Sequence, residues 1–398
     1  MTRPGVQPTI TGRLLTVLHH EGPMTRAEAT SRLGAARSAV GEAVGDLAGL
    51  GLVEVGDQAS SPQRLSAGRG RRSPVLGLAQ KAPTAMAAHF HPAGVDLALV
   101  HLGGTIVRHE RLEVRWDREA PRSALRRVAR HIRVVLETDG RDCLGLAVGV
   151  AGVVDAGGRA ILSSLYLHWE DLPLAGLLEE LLPAGLAVTV HNDAALTAMA
   201  ELHRGAGRGA TTMLALHCEH VGIGAAIVSE PGSPIGLRHA FEAGHLALDP
   251  YGPRCPCGQR GCLELYCDGR ALVASLAGDG GPGATTPEEV VRRARDGDRK
   301  AQRAVQDVAN RLGTGLVSLV NILSPEVVVF SGLLSGYLEL AGAELRSHLQ
   351  DSIVARLQGT RFEAASTPQP VLLGAAEFVF EPLLRDPAHA LENVLPGA

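Results

Sequence analysis

The stretch Glu242-Ala-Gly-His245, followed by Cys255-Pro-Cys257-Gly-Gln-Arg-Gly-Cys262-Leu-Glu264, constrains the fold of this chain more than any other. Three cysteines stand at i, i+2 and i+7, and the Pro and Gly residues between them bend the backbone so that the thiolates converge. His245, ten residues before the first cysteine, completes a tetrahedral Cys3His donor set of the kind that binds zinc. Four protein ligands leave no position open for water, so such a metal holds a loop in shape and activates no nucleophile. Glu242 and Glu264 flank the knuckle and are the carboxylates it positions. Disulfide bonding is the competing reading. The other cysteines, Cys143, Cys218 and Cys267, lie in apolar surroundings and outline no disulfide framework, whereas a reducing cytosol permits a thiolate cluster. Cys267, close to the knuckle, reads as a packed thiol and not as a fifth ligand.

A chain of 398 residues with 45% hydrophobic content has room for two or three domains, each with its own core. It contains no apolar run of 18 residues and no basic-then-apolar leader, which argues against membrane insertion and secretion and for the cytoplasm. The formal net charge of -4 is unevenly spread: residues 1–81 hold ten Lys/Arg against six Asp/Glu, and the remainder 28 against 36. A small basic module on a larger acidic one suits a DNA-reading head on a ligand-sensing body.

Residues 1–80 carry the pattern of a winged helix-turn-helix domain. Ile10, Leu14, Leu15, Val17 and Leu18 are spaced as on a helix that ends at Gly22-Pro23. Thr25 and Glu28 form a capping box that opens a short helix ending at Gly34. A third helix over roughly Ala36 to Leu50 puts Val40, Val44 and Leu47 on one face and Arg37, Ser38 and Glu42 on another. Strands at Leu52–Val55 and Val75–Leu78 enclose a loop that carries Arg69, Arg71 and Arg72. In this geometry the start of the third helix meets base edges, which makes Arg37 and Ser38 the candidates for readout, while the wing arginines suit phosphates or a narrow minor groove. A three-helix protein-interaction domain with solvated arginines fits the same pattern.

From 81 to 398 short β-branched runs alternate with helical stretches, the mark of an α/β body. Strands are expected at Val95–Val100, Thr105–Glu113, Leu144–Val150, Ala187–Val190, Met213–Leu216, Gly224–Val228 and Glu326–Phe330, and helices near Pro121–Thr138, Ala194–His203, Pro287–Asp296 and Lys300–Leu323. No repeat of short period is visible. Gly149-Val-Ala-Gly152, Asn192-Asp193 and Val221-Gly-Ile-Gly224 lie at strand ends, where α/β proteins bind ligands. A carboxylate at Asp193 can orient or deprotonate a sugar hydroxyl with the Asn192 amide bonding its neighbour; equally, Asp193 can be a helix N-cap and nothing more.

Taken together, these residues resemble the ROK proteins (repressors, open reading frames and kinases), over nearly the whole chain. The knuckle and its flanking Glu-x-Gly-His match at every position, joined by Gly149-Val-Ala-Gly152, His191-Asn192-Asp193-Ala194, Gly222-Ile-Gly224, Asn321-Ile-Leu-Ser-Pro325-Glu326, Ser331-Gly332 and Leu373-Gly374-Ala375-Ala376. The resemblance implies a two-lobed actin-like, ribonuclease-H-like ATPase fold behind the winged head, a sugar between the lobes, and a homodimer or homotetramer. It implies that Asn192, Asp193, Glu242, His245 and Glu264 contact the sugar or sugar phosphate and that His245, Cys255, Cys257 and Cys262 hold structural zinc within the segment 242–264. The residue matching Asp193 is the catalytic base of the family's kinases.

Kinases of the family have an Asp-x-Gly-Gly-Thr phosphate loop near the start of the first lobe. The equivalent stretch here, Ala87-Ala-His89-Phe90-His91-Pro92-Ala93-Gly94, places Phe90 at the acidic position and Pro92 at a glycine, which removes an amide donor. Gly103-Gly104-Thr105 mimics the motif but reads as a strand-to-strand turn. At the second phosphate loop Val221 stands at the Thr position with Glu219 nearby, so an anion is less welcome. Loss of both loops with a DNA-binding head predicts a sugar-responsive transcriptional repressor of carbohydrate metabolism without catalytic residues. The alternatives are an ATP-dependent hexose or N-acetylhexosamine kinase with an accessory head, and a regulator whose sugar pocket is a relic.

Overall fold

The computed structural model describes residues 8–56, 74–116, 118–229, 238–278 and 286–394. At the N-terminus, α1 (Ile10–Glu21), β1 (Met24–Thr25), α2 (Arg26–Leu33), α3 (Arg37–Gly49), β2 (Val53–Gly56) and β3 (Val75–Leu78) form a winged helix-turn-helix. Its antiparallel sheet runs in the order β1-β3-β2. Leu14, Leu15 and Leu18 of α1 are fully buried, as are Val40 and Leu47 of α3, so the apolar spacing predicts the packing. The capping box forms as expected, with the Glu28 amide on Thr25 Oγ1 and the Glu28 carboxylate on the Thr25 amide. The wing arginines Arg69, Arg71 and Arg72 lie outside the described residues.

The first lobe comprises β4 (Thr84–His91), β5 (Gly94–His101), β6 (Ile106–Glu113), α4 (Pro121–Asp139), β7 (Cys143–Val150), a small meander of β8 (Val153–Val154), β9 (Ile161–Ser164) and β10 (Trp169–Leu172), then α5 (Leu174–Glu179), β11 (Val188–Asn192) and α6 (Asp193–Arg204). The second holds β12 (Thr212–Cys218), β13 (Gly224–Ser229), β14 (Arg238–Phe241), α7 (Glu264–Cys267), α8 (Gly269–Gly278), α9 (Pro287–Arg295), α10 (Arg299–Leu323), β15 (Val327–Gly332), α11 (Leu333–His348), α12 (Ile353–Gln358) and β16 (Arg361–Ala364). The chain then returns to the first lobe through α13 (Pro370–Arg385) and ends in α14 (Pro387–Val394). Among the described residues no helix is long and apolar enough to cross a membrane.

The two main sheets run β11-β7-β4-β5-β6 and β14-β13-β12-β15-β16. Counted in chain order within each lobe, both place the first strand at the centre, the second and third antiparallel on one side, and the fourth and fifth parallel on the other. The lobes therefore repeat one topology, a long-period repeat that the sequence does not display. All the strands and helices expected from the body's sequence form, with shifts of a few residues at their ends.

One expectation fails. The stretch 87–94 is no loop: most of it is the central strand β4, joined to β5 by the tight turn Pro92-Ala93. Side chains alternate across a strand, so Phe90 enters the core against Trp116 and Trp169 while His89 and His91 face the cleft. The cleft residue at this loop is thus His89, not Phe90.

The head is fused to the body through α1. Gly12 lies so close to the end of α13 that a Cβ there would stand 2.3 Å from the Arg385 carbonyl oxygen. Deeper in the joint, Glu377 of α13 takes hydrogen bonds from His19 Nε2 (3.1 Å), His20 Nε2 (3.0 Å) and Arg204 Nε of α6 (2.6 Å). The Gly103 amide donates to His19 Nδ1 (2.9 Å), which leaves the His19 hydrogen on Nε2, facing the carboxylate. Arg204 also bonds the Gly103 carbonyl (2.9 Å), so the Gly103-Gly104 turn between β5 and β6 serves the joint. Burial pushes the His19 imidazole down to about 4, against the pull of Glu377. Burial raises the Glu377 carboxyl, but the bonded histidines outweigh it and hold the group well below the usual carboxylate range.

Both shifts have the same sign for stability. His19 is depressed below its ordinary 6.5, so its contribution is complete above that pH and is lost as pH falls toward about 4; Glu377 loses its own below its ordinary 4.5. Hydrogen exchange along α1 is expected to be flat with pH above about 6.5 and to accelerate between about 6.5 and 4 beyond the change in intrinsic exchange. Glu377→Ala strands Arg204 in a mostly buried site and is expected to destabilise the joint by about 3–5 kcal/mol, read as faster exchange of α1 at pH 7. Unchanged α1 protection in that variant rules out this role for the carboxylate.

Candidate functional site

A cavity of about 300 Å3 opens between the lobes, at the low end of the roughly 300–1,000 Å3 range of small-molecule sites. All five residues expected to meet a sugar, Asn192, Asp193, Glu242, His245 and Glu264, line it. Asn192 and Asp193 stand at the carboxyl end of the parallel strand β11, where α6 begins. Asn192, not Asp193, is the helix N-cap: its Oδ1 accepts the amides of Ala194 (2.9 Å) and Ala195 (3.2 Å), and its Nδ2 donates to the Gly152 carbonyl (3.0 Å). The cap thereby ties α6 to the Gly149–Gly152 turn and leaves Asp193 free for the cleft. Asp193 Oδ1 takes the Ala194 amide (2.8 Å) while Oδ2 lies 3.8 Å from His89 Nε2. Burial raises this carboxyl, but His89, the His217 charge and the amide outweigh it, so it sits below the usual value and is ionised at neutral pH.

Glu264 occupies the first turn of α7, and its side chain is almost wholly buried. The Tyr166 hydroxyl donates to its Oε2 (3.0 Å) and Arg270 lies 3.8 Å from its Oε1. Arg270 in turn pairs with Asp268 at 2.7 Å and stacks over the Tyr166 ring. Tyr166 comes from the first lobe and Glu264 from the second, so their bond spans the cleft.

The knuckle sits beside them. His245, Cys255, Cys257 and Cys262 bring one ligand atom each to within 4.8 Å of one another. His245 Nδ1 is 3.6 Å from Cys255 Sγ, and Cys257 Sγ is 3.6 Å from Cys262 Sγ, close to the spacing of about 3.8 Å that bonds of about 2.3 Å to a tetrahedral zinc impose. All six cysteines are free, which excludes the disulfide reading in this structure, and Cys267 is a buried thiol bonded to the Leu263 carbonyl, not a fifth ligand. The loop needs Gly261, at φ +63° with its Cα so near Asp249 that a Cβ would fall 1.7 Å from that carbonyl oxygen. The second nitrogen of His245 looks away from the thiols, 4.0 Å from Glu242 Oε2. The donor set fits a metal ion, and its histidine edge and flanking carboxylates reach the cavity.

Both phosphate loops are unsuited to nucleotide. The β4–β5 turn spans only Pro92-Ala93, and Pro92 has no amide hydrogen. At the β12–β13 turn the Gly222 amide is taken by Asp268 Oδ2 (3.1 Å). Sequence reasoning missed His89, His91, His217 and Tyr166, which all line the cavity. The signal for the first two was present: an apolar run on either side of Pro92-Ala93 with histidines two apart marks a hairpin with both imidazoles on one face.

On the head, Arg37 and Ser38 are exposed in the first turn of α3, on the side away from its buried Val40, Val44 and Leu47. They are not near the cleft, and their partner lies outside the chain.

A xylose repressor of Bacillus spizizenii is 24% identical over 387 residues, covering 96% of this chain and 93% of that protein. A glucokinase of Thermotoga maritima is 30% identical over 278 residues, covering 65% of this chain and 85% of the enzyme. A putative xylose repressor of Caldicellulosiruptor is 31% identical, but the chain spans 65% of its length. A solved ROK family transcriptional regulator, a homologue of the E. coli MLC protein, superposes with a TM-score of 0.76 at 20% identity, covering 97% of this chain and 98% of its own, which fixes the shared fold from head to C-terminus. Residues 93–381, well over half of the chain, match the ROK family model, and the protein belongs to the ROK family.

Proposed function

We propose that this protein is a sugar-responsive DNA-binding transcriptional regulator, a repressor of carbohydrate metabolism that acts as a homodimer or homotetramer, with the cleft as receptor and the winged head as reader. The single observation that carries this reading is the joint. Helix α6 starts at Asp193 in the cleft and ends at Arg204 on Glu377, where the head's α1 is anchored. A sugar bonded by Asn192, Asp193, Glu242, His245 and Glu264 acts on the start of this rod and on the cross-cleft bond from Tyr166 to Glu264. Its effect on operator affinity is a linkage between two states, for which about 1–3 kcal/mol gives a 5- to 150-fold change. The full-length similarity to a xylose repressor supports the regulator over the kinase, as does the loss of free amides at both phosphate turns. No catalytic residue is assigned; Asp193 keeps the kinase-base position and serves as a sugar hydroxyl acceptor.

Arg37 and Ser38 read bases, and Arg69, Arg71 and Arg72 of the wing contact the phosphate backbone or minor groove. The knuckle holds zinc, which supplies a rigid tie and no chemistry; His245 then presents its free nitrogen to a sugar hydroxyl beside Glu242.

Binding of the purified protein to its own upstream DNA is expected to be specific, to weaken steeply with salt, and to change at least fivefold with one sugar of a panel of hexoses, pentoses and N-acetylhexosamines. Arg37→Ala is expected to lower specific affinity by about 1–3 kcal/mol while leaving non-specific binding nearly intact. DNA binding indifferent to sequence and to every sugar overturns the reading, as does ATP-dependent sugar phosphorylation that disappears in Asp193→Asn.

For the metal, elemental analysis is expected to find one zinc per chain, absent from Cys257→Ser. That variant should lose the sugar response and assembly and melt earlier, with non-specific DNA affinity of the head retained. Normal sugar binding and assembly without metal contradicts the structural role.

A further inference from the structure

Six buried side-chain nitrogen or oxygen atoms among the described residues lack a hydrogen-bond partner, and four of them are His89 Nε2, His91 Nδ1, His91 Nε2 and His217 Nε2. The three side chains are 7%, 3% and 4% exposed, and all line the sugar cavity. They arrive from opposite lobes at equivalent places: His89 and His91 end β4, His217 nears the end of β12, and these are the first, central strands of the two repeated sheets. Native proteins rarely leave buried polar atoms unpaired, because each forfeits its hydration. Four in one cavity wall mark a place for a polar ligand.

Spacing decides its chemistry. Ligands that share one zinc-sized ion at about 2.0–2.1 Å stand roughly 3.4 Å apart. The ring centres of His89 and His91 are 5.2 Å apart and those of His89 and His217 6.5 Å apart. These imidazoles also join no group of three donors close enough for one ion. Donors bonded at about 2.8 Å to separate oxygens of one phosphoryl group stand roughly 6 Å apart, which matches.

The surrounding charges are compatible with an anion. Asp96, 3.2 Å from His91 Nε2 without hydrogen-bond alignment, is held by a two-pronged Arg111 at 2.8 and 2.7 Å and also faces His109. Asp193 faces His89, and Ser331 Oγ lies 3.3 Å from His217 Nδ1. Glu219, 3.5 Å from His217 Nε2, is the most exposed carboxylate at this end of the cavity and can turn outward.

We infer that His89, His91 and His217 form a phosphate-binding subsite at one end of the sugar cavity, and that the effector is a phosphorylated sugar. The inference rests on the reading of the cavity as a sugar receptor and names the class of sugar. The imidazoles do by side chain what the family's phosphate loops do by backbone amides. Nothing is transferred: the ester is bound and released intact.

Isothermal titration of the full-length protein tests this, with glucose, N-acetylglucosamine and xylose set against glucose 6-phosphate, N-acetylglucosamine 6-phosphate and xylose 5-phosphate, and with inorganic phosphate and ATP as separate arms. At least one ester is expected to bind tenfold or more tightly than its parent sugar, and His91→Gln and His217→Gln are each expected to bring that ratio near one. The two substitutions lie in different lobes, so a folding fault in one, read from its melting temperature, leaves the other as a test. Parent sugars that bind as tightly as their esters, or an ester preference that survives both substitutions, overturn the subsite and leave the sugar receptor standing. Binding of inorganic phosphate or ATP without an ester preference overturns the assignment to a sugar ester. Failure of every sugar and every ester to bind overturns the receptor as well.

Discussion

The buried carboxylate of Glu377 is the interaction on which the relation between head and cleft depends. It belongs to α13, the helix that returns from the second lobe, and it gathers His19 and His20 from the head and Arg204 from the first lobe. A charge so deeply buried is tolerable only while its partners stay in place. Arg204 ends a 12-residue helix, about 18 Å long at 1.5 Å per residue, whose first residue is Asp193. If ligand at Asp193 displaces this helix, either Arg204 leaves Glu377 or α13 and α1 move with it. Breaking a buried pair costs about 3–5 kcal/mol, more than the 1–3 kcal/mol typical of allosteric coupling. The cheaper response carries the head along.

At the opposite end of the cleft, Glu264 sits on a helix of only four residues, α7, which is too short to be stable on its own. Its position comes from outside: the Tyr166 hydroxyl across the cleft, Arg270 locked on Asp268, and the knuckle, whose Cys255 Sγ lies 3.2 Å from Glu264 Oε1. This explains why a metal motif lies next to a sugar site without doing chemistry. It fixes in one loop the carboxylate that secondary structure alone would leave loose.

Much of this was legible in the sequence, for physical reasons that also explain what was not. Spacing alone identified the knuckle, since cysteines two and five apart with glycines between them have little choice but to converge, and the capping box at Thr25 and Glu28 formed as read. The five sugar residues came from family resemblance and proved to share one cavity. The first phosphate loop was misread because β4 is buried along its whole length and shows no polar alternation, so Phe90 and His89 could not be told apart by pattern. The joint was beyond reach: His19, Gly103, Arg204 and Glu377 are separated by up to 358 residues, and only the fold brings them together. Repetition of one strand order in the two lobes was equally hidden, because topology can persist when side chains do not.

The histidines of the cleft suit a receptor better than fixed cations would. Three buried lysines or arginines would keep their charge in the empty cavity, where desolvation and mutual repulsion oppose it. An imidazole can shed its proton at neutral pH, so the empty cavity holds three neutral rings and pays only for unmade hydrogen bonds. An entering dianion favours the protonated form of each ring and so recruits positive charge when it is needed. Backbone amides, the alternative donors, would require the glycine-rich turns that Pro92 and the engaged Gly222 amide have closed off here. A cleft built this way is stable both empty and filled, as a protein must be whose output depends on the difference between the two states.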